Sequence, residues 1–131
     1  MIRSKLAAAL CLIALPFLTT LPAWAQPGDV AEVTVSDVTP HTLTINWSQY
    51  TGEDFVRYDV RTSSAAGVTA TSPLLASFES SEMTSVIDSG LIAYTTHYYR
   101  VFVVDTADVV STGVEKSART SALYYPHTDT V

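Results

Sequence analysis

The sequence predicts an all-β fold, an antiparallel β-sandwich, on three observations. Short segments alternate apolar and polar residues with period two, polar turn-rich stretches separate them, and beyond residue 25 no window sustains a helical i, i+3, i+4, i+7 stripe. A strand turns successive side chains to opposite faces, so such alternation means one face on a core and one in water. Closely spaced strands of this kind pack as two antiparallel layers.

In chain order, the first 25 residues stand apart. Arg3 and Lys5 form a positive start, residues 6–18 an apolar run, and Ala23-Trp24-Ala25 places small residues at −3 and −1 of a cleavage point. That order is a secretory signal peptide, cut after Ala25. Pro16 and the threonines beyond it interrupt the run short of the ~20 residues of a membrane span. The expected location is therefore secreted or periplasmic, with no membrane insertion after cleavage. Residues 26–29 are a short lead, 30–122 the domain, and 123–131 a tail in which Tyr124-Tyr125 could lengthen the last strand.

Removing Arg3 and Lys5 from the seven basic residues leaves five against thirteen acids, so the net charge moves from −6 to −8. Such a surface repels nucleic-acid phosphates and anionic lipid. Cys11, the single cysteine, leaves with the leader, so the exported domain is held by its core without disulfides. About a hundred residues is enough for one such domain.

The strands follow. Val33 and Val35 alternate with Thr34 and Ser36; Leu43, Ile45 and Trp47 with Thr42, Thr44 and Asn46; Val56, Tyr58 and Val60 with Arg57, Asp59 and Arg61. "TTHYYRVFVVD" (Thr95–Asp105) differs in carrying large apolar residues on both parities.

These residues carry a resemblance. "LTINWS" with Trp47, "RYDVRTS" with Tyr58, "SGLIAYTTHYYRVFVVD" and the closing "GVEKSARTS" are similar to a fibronectin type III domain of the bacterial extracellular kind, from about Val30 to Ala122. The resemblance implies seven strands, A, B and E in one immunoglobulin-like sheet and C, C′, F and G in the other. Trp47 would then lie between the sheets with Tyr58 and Val101. Two positions depart from the family pattern. A tyrosine usually stands six residues after the leucine, and counting from Leu91 that place holds His97. Either the imidazole replaces the phenol, or Tyr98 takes the role through a one-residue shift that would turn the whole strand over. Lys116 falls where an apolar residue is usual, so either Val114 fills the place or the lysine stem lies along the core edge.

With His97, Tyr99, Val101 and Val103 inward, the outer face of strand F carries Tyr98, Arg100, Phe102 and Val104, beside Arg57, Asp59 and Arg61 of strand C. Aromatic residues flanked by arginines typify interface centres, which makes Arg57, Arg61, Tyr98, Arg100 and Phe102 the first candidate binding face. The competing reading is that Arg57 and Arg61 stack over Tyr98 and Phe102 and stabilise the sheet with no partner. The second candidate is an acidic pole, Glu53, Asp54, Asp105 and Asp108 with Asp29, Glu79 and Glu82 nearby. "DTAD" and "GED" supply carboxylate pairs rather than a calcium loop, and nothing fixes the spacing of His41, His97 and His127 for zinc. No metal and no cofactor are expected.

No nucleophile elbow, zinc-protease helix or phosphate loop is present, and no cleft-forming pattern supports catalysis. The expectation is a non-enzymatic binding or adhesion module that contacts protein or polysaccharide outside the cytoplasm. The alternatives are a structural subunit assembling through sheet edges, and a carbohydrate-binding accessory domain, which needs Tyr50, Tyr94 and Tyr98 coplanar.

Overall fold

A computed structural model describes residues 25–126; residues 1–24 of the leader, and His127, lie outside the described residues. Seven strands follow one another: β1 (Val33–Ser36), β2 (Thr42–Trp47), β3 (Phe55–Ser63), β4 (Leu74–Phe78), β5 (Ser85–Ser89), β6 (Thr96–Asp105) and β7 (Val114–Arg119). They form two antiparallel sheets, in the orders β1-β2-β5 and β4-β3-β6-β7. Tyr124 and Tyr125 do not extend β7; both are exposed.

The alternation read from the sequence sets the core. β2 buries Leu43, Ile45 and Trp47, β3 buries Tyr58 and Val60, and β6 buries Tyr99, Val101 and Val103 in one cluster between the sheets. Trp47 meets Tyr58 edge-on at 5.5 Å and Phe78 at 5.9 Å. Tyr58 is fully buried, yet its hydroxyl donates to the Ser81 carbonyl (3.0 Å) and accepts from the Tyr50 N–H (2.8 Å). One phenol thereby ties the β2–β3 connection to the β4–β5 connection, because a buried hydroxyl needs partners.

The β5–β6 corner follows neither arrangement expected from the sequence. His97 shares the inward parity, but its Nε2 meets the Thr95 hydroxyl at 3.1 Å, not a backbone carbonyl. Tyr98 stays on the outer parity, so the strand does not shift. Tyr99 supplies the phenol instead: its hydroxyl donates to Asp88 of β5 at 2.7 Å, inside the sandwich. The turn itself is held by threonines, with Thr95 and Thr120 both donating to the Ile92 carbonyl. Val114 packs against the core while Lys116 is exposed, which settles the β7 departure in favour of valine.

Candidate functional site

Strand register arranges the outer face of the four-stranded sheet in rows. Ser77, Asp59 and Phe102 form one row across β4, β3 and β6; Arg61, Arg100 and Glu115 form the next across β3, β6 and β7; Ser63, Tyr98 and Ser117 form a third. The parity expected from the sequence is therefore the observed one. The open aromatic strip is not. Phe102 is 3% exposed, and Val68, Phe102 and Val104 are buried outside the between-sheet cluster.

The arginines are bound within the protein. Arg57 Nε donates to Asp59 at 3.0 Å and its Nη1 lies 3.9 Å from Asp108. Asp59, only 6% exposed, also accepts from Ser77 (2.7 Å), with Arg61 Nη2 at 4.0 Å. Arg61 Nη1 donates to the Ser72 carbonyl at 2.7 Å. Arg100 donates to the carbonyls of Thr112 (3.2 Å) and Gly113 (3.4 Å) and pairs with Glu115 at 3.4 Å. Glu115 in turn accepts the backbone N–H groups of Gly67 (3.1 Å) and Val68 (2.7 Å). Burial alone would push the Glu115 carboxyl up; the Val68 and Gly67 N–H bonds and Arg100 outweigh it and hold the group below its usual range.

Gly113 closes the face from the β7 side. It sits at φ +83°, and a Cβ there would stand 2.7 Å from the Arg100 stem and 2.8 Å from Phe102. Arginine stacking over Tyr98 and Phe102 is replaced by side-chain pairing with Asp59 and Glu115, and the cation–π contact forms elsewhere, Arg119 over Tyr94 at 4.7 Å.

The acidic pole is dispersed into local tasks. Asp105 is buried and accepts from the Ala107 and Val109 N–H groups, both at 2.8 Å, which shapes the β6–β7 turn. Asp54 accepts from the Tyr50 hydroxyl (2.9 Å), and Asp29 from the Gly113 N–H (2.6 Å). Glu53 and Asp108 are exposed. Among the described residues no three His, Cys, Asp or Glu side chains converge as a metal site. His41 donates from Nδ1 to the Leu91 carbonyl at 2.8 Å and belongs to the opposite corner. Tyr50, Tyr94 and Tyr98 lie in the β2–β3 connection, the β5–β6 connection and β6, so they form no common platform. No cavity is present among the described residues.

The opposite pole differs in chemistry. Backbone bonds from Ser121 to Thr39, Tyr94 to Ser121 and Leu91 to His41 join the β1–β2 turn, the β5–β6 connection and the C-terminal segment. The segments so joined carry Val38, Ile92, Tyr94 and Leu123, exposed by 45, 72, 64 and 43%. Tyr124 and Tyr125, also exposed, follow Leu123 in the chain, so these segments carry six of the nine exposed large apolar residues among the described residues.

No family model matches the chain, and no curated protein sequence matches it either. Solved structures do. The fn3 domain of human collagen alpha-1(XX) chain is 19% identical, with a TM-score of 0.62 over 80% of this chain and 95% of that one. The FN1–FN3 domains of chicken CNTN1 superpose with a TM-score of 0.61 at 14% identity, over 72% of this chain and 32% of that one. The fold is that of a fibronectin type III domain. The Clostridium perfringens spore cortex lytic enzyme SleM also contains a matching region, at 12% identity and a TM-score of 0.57, over 72% of this chain but only 28% of that enzyme. The neighbours are mostly fibronectin type III domains without enzymatic description, and their fold is what this chain shares with them.

Several residues that shape this fibronectin type III fold are unmarked in the sequence. Asp88, which no sequence pattern singles out, is the buried partner of the Tyr99 hydroxyl. Val68 sits in a small-residue loop and is 2% exposed. Ile92 and Tyr94 stand in solvent, Ile92 with no alternation to announce it. Their only signal was hydrophobicity inside a turn segment.

Proposed function

We propose that this chain is an exported, non-catalytic fibronectin type III module that binds a protein partner outside the cytoplasm through the pole of Val38, Ile92, Tyr94 and Leu123. The observation that carries the reading is the concentration of exposed apolar side chains at that end, on segments locked together by backbone hydrogen bonds. Contiguous exposed apolar surface is a mark of interaction sites, and tyrosine is enriched at their centres. A rigid frame also limits the ordering cost of association. The acidic pole lacks comparable apolar area, and the Arg57, Arg61, Arg100 and Phe102 face is engaged with the protein's own groups. Export is supported by the order of charged, apolar and small residues in the first 25 positions. The alternation of exposed tyrosine with arginine (Arg119 covers one face of Tyr94) favours a protein over a polysaccharide, which needs open ring faces.

The test is capture from the native envelope and medium with the exported protein, against the double variant Ile92→Ser, Tyr94→Ser and the acidic-loop variant Asp108→Asn. All three positions are exposed, so the melting temperatures should agree within a few degrees. Capture lost only in the pole variant, and persisting at high salt, is the expected result. Capture that survives the pole changes and disappears with Asp108→Asn or with salt would assign binding to the acidic pole instead.

A further inference from the structure

The outer face of the four-stranded sheet is covered by its own chain, and the way it is covered has a functional consequence. Residues 64–73 leave β3, cross to β7, where Glu115 accepts the Gly67 and Val68 N–H groups, and return to β3, where Arg61 holds the Ser72 carbonyl. In the sheet order β6 lies between those two anchors, so the segment passes over the Arg61–Arg100–Glu115 row. Between residues 64 and 72, side chains make these bonds to the sheet; no strand ladder runs there. One residue of the crossing, Val68, is buried; Ser64, Ala65, Ala66, Gly67, Thr69, Ala70 and Thr71 are exposed.

We propose that residues 64–73 are a strap that opens as a unit while the sandwich stays folded. Glu115 is its latch, and the strap controls whether Arg61 and Arg100 face solvent. This proposal is independent of the pole reading above. Local openings are drawn from segments with few buried apolar groups and few ladder bonds; this segment has one buried valine, a handful of side-chain tethers and, at its end, one backbone bond from the Thr62 N–H to the Pro73 carbonyl. The latch is a charge-assisted bond to two adjacent N–H groups, strong enough to hold a short segment and specific to one carboxylate. Gly67 stands at φ +92° with open space around it, and Ser63 and Pro73 bound the moving piece. Beneath lies an arginine whose Nε is buried with no protein partner. Opening frees Arg61 from the Ser72 carbonyl and uncovers the row that it forms with Arg100, two guanidinium forks suited to interfaces only when they are uncovered.

Amide hydrogen exchange on the unmodified exported protein reads the opening directly. Gly67 and Val68 should exchange at least about a hundred-fold faster than Val60 and Val101, whose amides wait for global unfolding. Glu115→Gln should speed Gly67 and Val68 about ten-fold further and leave Val60 and Val101 unchanged. In the same variant, phenylglyoxal should modify Arg61 and Arg100 several-fold faster, located by peptide mass. Exchange of Gly67 and Val68 at the rate of the core amides overturns the strap, and this comparison stands even if Glu115→Gln fails to fold. Acceleration of all four amides together, or no change in any, removes Glu115 as the latch. Faster strap exchange with unchanged arginine modification removes the gating of the face.

Discussion

At the scale of single residues, the two sheets are joined by aromatic groups with different duties. Trp47 supplies area: its indole N–H is buried with no partner, so the ring is held by packing against Tyr58 and Phe78. Trp47→Ala should cost about 3–5 kcal/mol. Since a domain of this kind has about 5–15 kcal/mol in all, urea unfolding of the variant should begin near zero denaturant. Tyr99 supplies a bond. Tyr99→Phe leaves Asp88 buried without its donor, which should cost about 1–3 kcal/mol. Tyr98→Ala on the outer parity should cost less than that. A larger loss for Tyr98→Ala in the same urea series would contradict the register. Burial, with Asp88 beside it, pushes the Tyr99 phenol far above its ordinary value. The folded state therefore keeps a proton that the unfolded chain releases above about pH 10. The stability this group contributes is complete below that pH and declines as pH rises further. The alkaline slope of stability should flatten in Tyr99→Phe, measured by urea midpoints from pH 8 to 11.

At the scale of elements, the outer face of β3, β6 and β7 shows how far alternation reaches. Parity placed Arg57, Asp59, Arg61, Tyr98, Arg100 and Phe102 on the correct side, because side chains on a strand have only two directions. It could not say that Asp59 would be buried between two arginines or that residues 64–73 would lie across the sheet. Glu115 belongs to this level. Its folded carboxyl lies below the usual range, so its contribution to the strap is present above about pH 4.3 and is lost as pH falls through the lowered folded value. Protection of the Gly67 and Val68 amides should therefore fall on acidification and should not recover at higher pH in Glu115→Gln. Gly113 is the other element-scale constraint. Gly113→Ala must hold φ +83° and drive a methyl group against Arg100 and Phe102, which should cost about 1–3 kcal/mol in urea unfolding. An alanine variant as stable as the parent would mean that the β6–β7 connection can retreat from the face.

At the scale of the whole molecule, the poles have separate characters. The end that carries Gln26 to Asp29 and the β2–β3, β4–β5 and β6–β7 connections gathers the acids, and the other end gathers exposed apolar residues. Antiparallel order makes this segregation possible, since alternate connections fall at alternate ends. The leader gives a prediction at this scale too. Intact-mass measurement of the exported protein should find a chain that starts at Gln26, and a product that retains residues 1–25 would remove the secreted assignment.

The sequence by itself determined the sandwich and the inward faces of its long strands, except at the start of β3, where a bulge between Phe55 and Arg57 seats Phe55 rather than Val56 against the core. Period-two patterning is local, and each inward residue, Leu43 to Trp47 or Tyr99 to Val103, declares its face without knowing its neighbours. Only the tertiary structure decided which outward residues meet water. Phe102 is sealed with Gly113 of the β6–β7 connection against it, Asp88 is buried because Tyr99 reaches it from the other sheet, and Asp105 is buried because its own turn folds around it. Those outcomes depend on contacts between segments far apart in the chain, and a pattern of neighbouring residues carries no term for them.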